Sequence, residues 1–128
     1  MTSNTETLDR LINQNGVRPG ARKLQQFKQA LTLRGTPKLC AQDGKGDNAI
    51  AYVKIFDPCG SWTWYLTEWD GVGDETFGLV NGFELEWGYI SLNELANVAG
   101  ARGIGLEIDV WFLPKTMREA RTAEGLTR

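Results

Sequence analysis

The sequence contains no histidine. That absence removes the usual general base, the usual member of a nucleophilic triad and the commonest zinc ligand together, and most hydrolase mechanisms are excluded with them. Cysteine is nearly as scarce. Cys40 and Cys59 are the only two, they form no C-x-x-C spacing, and neither zinc binding nor redox chemistry is signalled. Two free thiols are expected rather than a native disulfide. No apolar run approaches the roughly 20 residues of a membrane-spanning helix, and the opening "MTSNTETLDR" lacks the basic and apolar regions of a secretion signal. The expectation is a cytoplasmic protein that does not contact a membrane.

What is present suits one soluble domain: 128 residues, 41% of them hydrophobic and 23% charged. Five Trp, five Phe and three Tyr supply large side chains, so a core can be built without disulfide or metal support, and nothing calls for a cofactor. The net charge is only −2 but is unevenly spread: residues 1–38 carry +5, residues 39–112 carry −9 and residues 113–128 carry +2. An acidic body with basic ends admits a nucleic-acid contact through the ends or an acidic protein-binding surface.

Near the N-terminus, "TETLDRLINQN" (5–15) places Leu8, Leu11 and Ile12 at helical spacing before Gly16, which predicts a short helix. A second amphipathic helix is predicted over about 20–33, from Leu24, Phe27 and Leu31, with Gly35 and Pro37 as terminators. Its basic residues are scattered. Lys28 falls on one side of the apolar stripe, Lys23 and Arg34 on the other, and Arg22 on the outer face with Gln25, Gln26 and Gln29. A helix that reads DNA would concentrate its charge on one face, so a solvated surface is the better reading. "AQDGKGDN" (41–48) is a Gly/Asp-rich loop without the ending of a phosphate-binding loop.

From residue 49 the period changes to two. "AIAYVKIFD", a turn at "PCGS", and "WTWYLTEW" predict a β-hairpin, and "TFGLVNG" (76–82) and "EWGYI" (86–90) two further strands. In "SLNEL", Ser91 and Glu94 have capping-box spacing, so a helix is expected at about 91–99 with Leu92, Leu95, Ala96 and Ala99 inside and Gly100 and Gly103 beyond its end. "GLEIDVWFLP" alternates as a last strand ending at Pro114, and 115–128 reads as a polar tail or frayed helix. The glycines of "GARGIG" (100–105) follow a helix and precede a strand, the reverse of a pyrophosphate-binding order.

Taken in order, "VKIFDP", "WTWYLTEWD", "TFGLV", "ELEWGYISLNEL" and "IDVWFLP", together with the earlier "LDRLINQNG", resemble a family of small, functionally uncharacterised bacterial proteins carried on plasmids and other mobile elements. The resemblance covers about residues 8–16 and 50–116. The segment 17–48 departs from it and looks like an insertion, a helix followed by a Gly/Asp-rich loop. The resemblance implies an α+β domain and a mobile-element setting, and supplies no activity, cofactor or catalytic residue.

Simple alternation over 61–69 puts Trp62, Trp64 and Leu66 on one face and Thr63, Tyr65, Thr67 and Trp69 on the other. The first face reads as core. Burying about 150–250 Å² per aromatic side chain is worth several kcal/mol, an upper estimate. Trp69 stands at the strand end between Glu68 and Asp70 and is left open between core and surface.

Glu68, Asp70, Asp74 and Glu75 fall within eight residues, with Glu84 and Glu86 before the next motif, and are oxygen donors that suit a hard cation, yet their spacing lacks the regular alternation of a calcium loop, and a solvated acidic edge is the better reading. Paired carboxylates acting on a sugar would need a deep cleft that a domain of this size has little room to build. Cys59 in "DPCG" lies in a turn beside an aspartate, with no histidine to activate it, and a nucleophilic role is not favoured.

The expectation is therefore an α+β fold: an antiparallel sheet of about five strands, one packed helix and two N-terminal helices. Its expected role is that of a non-enzymatic accessory protein of a mobile element. It would bind a host or mobile-element protein through Tyr65, Trp69, Asp70, Asp74, Glu75 and Glu86, one version being interference with a host defence system. The alternatives are a nucleic-acid-associated protein using its basic termini and a small carboxylate- or metal-dependent enzyme.

Overall fold

The computed structural model describes residues 19–98 and 105–124. The helix expected over 5–15 lies outside the described residues, as do Ala99, Gly100 and Gly103. The elements are α1 (Pro19–Leu33), a 3-10 turn (Gly46–Asn48), β1 (Ile50–Ala51), β2 (Val53–Phe56), β3 (Thr63–Trp69), β4 (Glu75–Asn81), β5 (Leu85–Ser91), α2 (Leu92–Ala96), β6 (Glu107–Ile108), β7 (Lys115–Thr116) and α3 (Met117–Ala123). The arrangement is α+β. Five strands form an antiparallel sheet in the order β5-β4-β3-β2-β6, and β1 and β7 form a separate two-stranded ribbon.

The central strand is β3, and both of its faces are covered. On one face, Trp64, Leu66 and Trp69 pack with Val53 and Ile55 of β2, Phe27 and Leu31 of α1, and Leu92 and Leu95 of α2. On the other, Tyr65 packs with Leu79, Phe112 and, from α3, Met117 and Ala120. Helix α1 is thus part of the main core, since Phe27 and Leu31 are fully buried there.

The alternation expected along 61–69 breaks at a β-bulge. Leu66 pairs with Gly78, but Glu68 pairs with Phe77, so Thr67 is the extra residue. Its hydroxyl donates to the carbonyl of Phe77 at 3.0 Å. Beyond the bulge the parity inverts. Trp69 joins Trp64 and Leu66 in the main core, and Glu68 turns to the face of Tyr65. Gly78 is what lets β4 approach there, because a Cβ at that position would lie 1.9 Å from the carbonyl oxygen of Tyr65.

Three further expectations are corrected. Ser91 caps α2 by accepting the backbone N–H of Glu94 at 3.1 Å, but the described helix ends at Ala96, and its start is also held by Asp74, which accepts the Ser91 hydroxyl and the N–H groups of Leu92 and Asn93. The full capping box is at Thr116 and Glu119, where the tail forms α3 and buries Met117 and Ala120. The last strand is only Glu107–Ile108. Asp109 then stops it by accepting from the N–H of Trp111 at 2.9 Å, and Val110 and Trp111 turn outward.

Candidate functional site

The loop between β3 and β4 is organised by Asp70. One carboxylate oxygen accepts the N–H of Val72 at 3.0 Å and of Gly73 at 2.6 Å, and the other accepts from Glu75 at 3.2 Å. Partial burial works to raise its pKa, but the N–H groups of Val72, Gly73, Glu75 and Asp74 outweigh that and hold Asp70 below the usual carboxylate range. Gly71, at φ 98°, supplies the left-handed residue that the turn requires. Asp74 serves α2. Its carboxylate accepts the Ser91 hydroxyl at 2.8 Å and the N–H of Asn93, and its carbonyl accepts the N–H of Leu92 at 2.8 Å.

These bonds determine which expected site residues come together. Asp70, Asp74 and Glu75 line one hollow of about 520 Å³ with Tyr89, Ile90, Ser91 and Glu94. Glu86 is exposed near the other end of β5, opposite Val80 and on the other face of the sheet from Tyr89. Tyr65 and Trp69 do not join them. Tyr65 is 0% exposed and Trp69 only 6%, so neither is available to a partner. The Trp69 indole faces the core and donates its N–H to the Gly73 carbonyl at 3.1 Å.

The aromatic surface lies one and two strands further out. Phe77 on β4 and Trp87 and Tyr89 on β5 share a face. The Phe77 and Trp87 rings stack at 5.9 Å with planes 13° apart, and Phe77 meets Tyr89 edge-on at 5.1 Å. Phe77 is half-buried, whereas Trp87 is 38% and Tyr89 64% exposed. Sequence reasoning passed over these three because their segments alternate like ordinary half-buried strands. The available signal was that Trp87 and Tyr89 flank Gly88 on one parity, on a strand that ends up at the sheet edge.

Beside the aromatics, the 41–48 loop is fastened to the sheet. Glu68, 3% exposed, accepts the N–H of Cys40 at 2.8 Å and of Gln42 at 2.7 Å. The buried Gln42 amide donates to the carbonyls of Ile50 and Thr67, each at 2.9 Å, and accepts the N–H of Ile50 at 2.6 Å. A smaller hollow of about 200 Å³ lies between this loop and Phe77 and Trp87. Cys40 is no activated nucleophile, since Asp43 foremost, then burial and Glu68, push its thiol pKa up.

The Tyr65 hydroxyl is buried without a hydrogen-bond partner among the described residues. Burial, then the charges of Glu124 and Asp109, raise its pKa well above the ordinary phenol value. Lys54, its cross-strand neighbour, bridges those two carboxylates, reaching Asp109 at 3.6 Å.

Charge follows the fold. Between Ile55 and Ala101 the chain has no Lys or Arg, but has Asp57, Glu68, Asp70, Asp74, Glu75, Glu84, Glu86 and Glu94. Of these Glu68 is buried, and strands β4 and β5 and their loops therefore present acids and aromatics without a basic side chain. No helix among the described residues is long and apolar enough to cross a membrane.

The sequence pattern of the family described as "Protein of unknown function (DUF2958)" matches residues 25–123, which takes in α1 from its second turn and every strand. No curated protein and no solved structure matches the chain.

Proposed function

From the premise that the chain belongs to the family of proteins of unknown function DUF2958, we propose that it is a non-enzymatic protein-binding module. Its binding surface is the outer face of the sheet, centred on Phe77, Trp87 and Tyr89 and rimmed by Asp70, Asp74 and Glu75. The observation that carries this reading is the stacked, exposed aromatic cluster on two strands that pair with each other over seven residues. Aromatic side chains combine large contact area with few rotatable bonds, so they dominate interface cores, and a polar rim gives orientation and specificity.

Asp70 and Asp74 support the same reading. Their oxygens are occupied by the loop and by α2, so they act as fixed charges at the rim rather than as reacting groups. The acidity of β4 and β5 disfavours a nucleic-acid phosphate at this face. The resemblance to proteins of plasmids and other mobile elements makes a host or mobile-element protein the expected partner, with interference in a host defence system as one concrete form.

The test is affinity capture from a bacterial host lysate with the native chain and with a Trp87→Ala/Tyr89→Ala variant. A partner retained by the first and lost by the second, at unchanged thermal stability, supports the surface. Identical partner lists would show that binding occurs elsewhere.

A further inference from the structure

The partner's chemistry can be taken one step further, on the basis of that same surface. Strand β5 is an outer strand of the sheet: among the described residues it pairs only with β4. Two bonds set the parity of its ladder. Gly82 donates to Glu84 at one end at 3.0 Å, and Leu92 donates to Asp74 at the other at 2.8 Å. In an antiparallel ladder the bonded pairs recur every second residue, so Glu86, Gly88 and Ile90 direct their backbone groups at β4. Leu85, Trp87 and Tyr89 therefore direct theirs away from the sheet. An unpaired row of donors and acceptors on a regular strand is a template for one more strand. The residues that offer it are also those whose side chains form the aromatic face.

Charge selects the occupant. Acids stand at both ends of β5, with Glu84 and Glu86 at its start and Glu75, Asp74 and Glu94 around its finish. Arg121, which lies near Leu85 and Trp87, is already paired with Asp47 at 2.7 Å. A second copy of the chain fits poorly. Antiparallel β5-to-β5 pairing would set the Glu84 end of one copy against the Glu94 end of the other, and parallel pairing would set each acid near its own duplicate. We propose that β5 accepts an extended, basic segment of a partner protein as a sixth strand. Lys or Arg side chains of that segment would meet the terminal acids and lie over the exposed rings of Trp87 and Tyr89.

The experiment is to pan a random-peptide display library on the full-length chain, then follow amide hydrogen exchange with the best selected peptide bound. Selected peptides should be rich in Lys, Arg and β-branched residues and poor in proline. They should slow exchange at Trp87 and Tyr89. Binding should weaken about tenfold or more with Glu75→Lys/Glu86→Lys, and should be lost when alternate peptide nitrogens are methylated. Acidic or proline-rich selections, unprotected amides at Trp87 and Tyr89, insensitivity to methylation, or self-association through β5 would each overturn the proposal. The reading of the surface is tested separately. A lysate partner that depends on Trp87 and Tyr89 but leaves the β5 amides exchanging freely sinks strand addition alone, whereas a partner indifferent to both aromatics sinks the surface itself.

Discussion

Trp69 and Leu66 lie on the same face of β3 although simple alternation would set them on opposite faces, and both enter the main core. The bulge at Thr67 causes this. Trp69→Ala should therefore behave as a core deletion and cost about 3–5 kcal/mol in denaturant unfolding. Trp69→Phe, which keeps most of the volume but loses the N–H bond to Gly73, should cost about 1–2 kcal/mol. A change below about 0.5 kcal/mol for Trp69→Ala would be the surface behaviour expected of an exposed residue.

Gly78 and Gly88 are direct cross-strand partners with opposite tolerances. A methyl group at Gly78 collides with the backbone of Tyr65, which cannot turn aside, whereas a Cβ at Gly88 meets nothing within 4 Å. Gly78→Ala should lose about 3 kcal/mol or more, and Gly88→Ala should stay within about 0.5 kcal/mol of the parent. Paired urea titrations decide it, and equal midpoints for the two variants would contradict the bulge geometry.

Glu68 holds the 41–48 loop by accepting two backbone N–H groups, one on each oxygen. Glu68→Gln keeps the shape but points an amide N–H at one of those donors. A loss of about 2–3 kcal/mol is expected, together with faster amide exchange at Cys40 and Gln42. Unchanged protection at both amides would mean that the loop is held by Gln42 alone.

Tyr65 should limit stability in alkali. Its folded pKa is raised, first by burial and then by Glu124 and Asp109. Its contribution is thus complete below the ordinary phenol value of 10.0 and is lost as pH climbs from there towards the raised folded value. Tyr65→Phe removes both the titration and an unpartnered buried hydroxyl, and should stabilise the fold by about 1 kcal/mol near neutrality. Thermal melts across the alkaline range should fall more gently for the variant, and a parallel decline would place the alkaline limit on another group.

Asp70 has the opposite sign. Its folded pKa is lowered, so the stability it contributes is complete above the ordinary aspartate value of 3.8 and is lost as pH falls through the lowered one. Asp70→Asn should flatten the acid limb of the stability profile. An unaltered limb would show that the loop carboxylate is not linked to folding.

Much of the architecture was legible because its signals are local. Helix α1, expected at about 20–33, spans Pro19–Leu33, and Ser91 caps α2 as its spacing with Glu94 required. Strands β4 and β5 appear where alternation placed them. The same signal stands at Thr116 and Glu119, in the segment that reads as a polar tail or frayed helix, and there the full capping box starts α3. The acidic residues Asp70, Asp74 and Glu75 are close in sequence and line one hollow in the fold. Tyr65 and Trp69 were grouped with them on the same ground, and the fold separates them by burial.

Local sequence determined the element types, the caps and the acidity of the outer strands, because propensity, capping geometry and charge act over a few residues. Only the tertiary structure decided which aromatics are core and which are surface. That choice depends on strand order, which makes β3 central and β5 an edge, and on a one-residue bulge, which inverts every side chain beyond it. Trp69 is buried and Trp87 exposed for those two reasons. Both are non-local, since they arise from pairing between strands rather than from the residues beside either tryptophan.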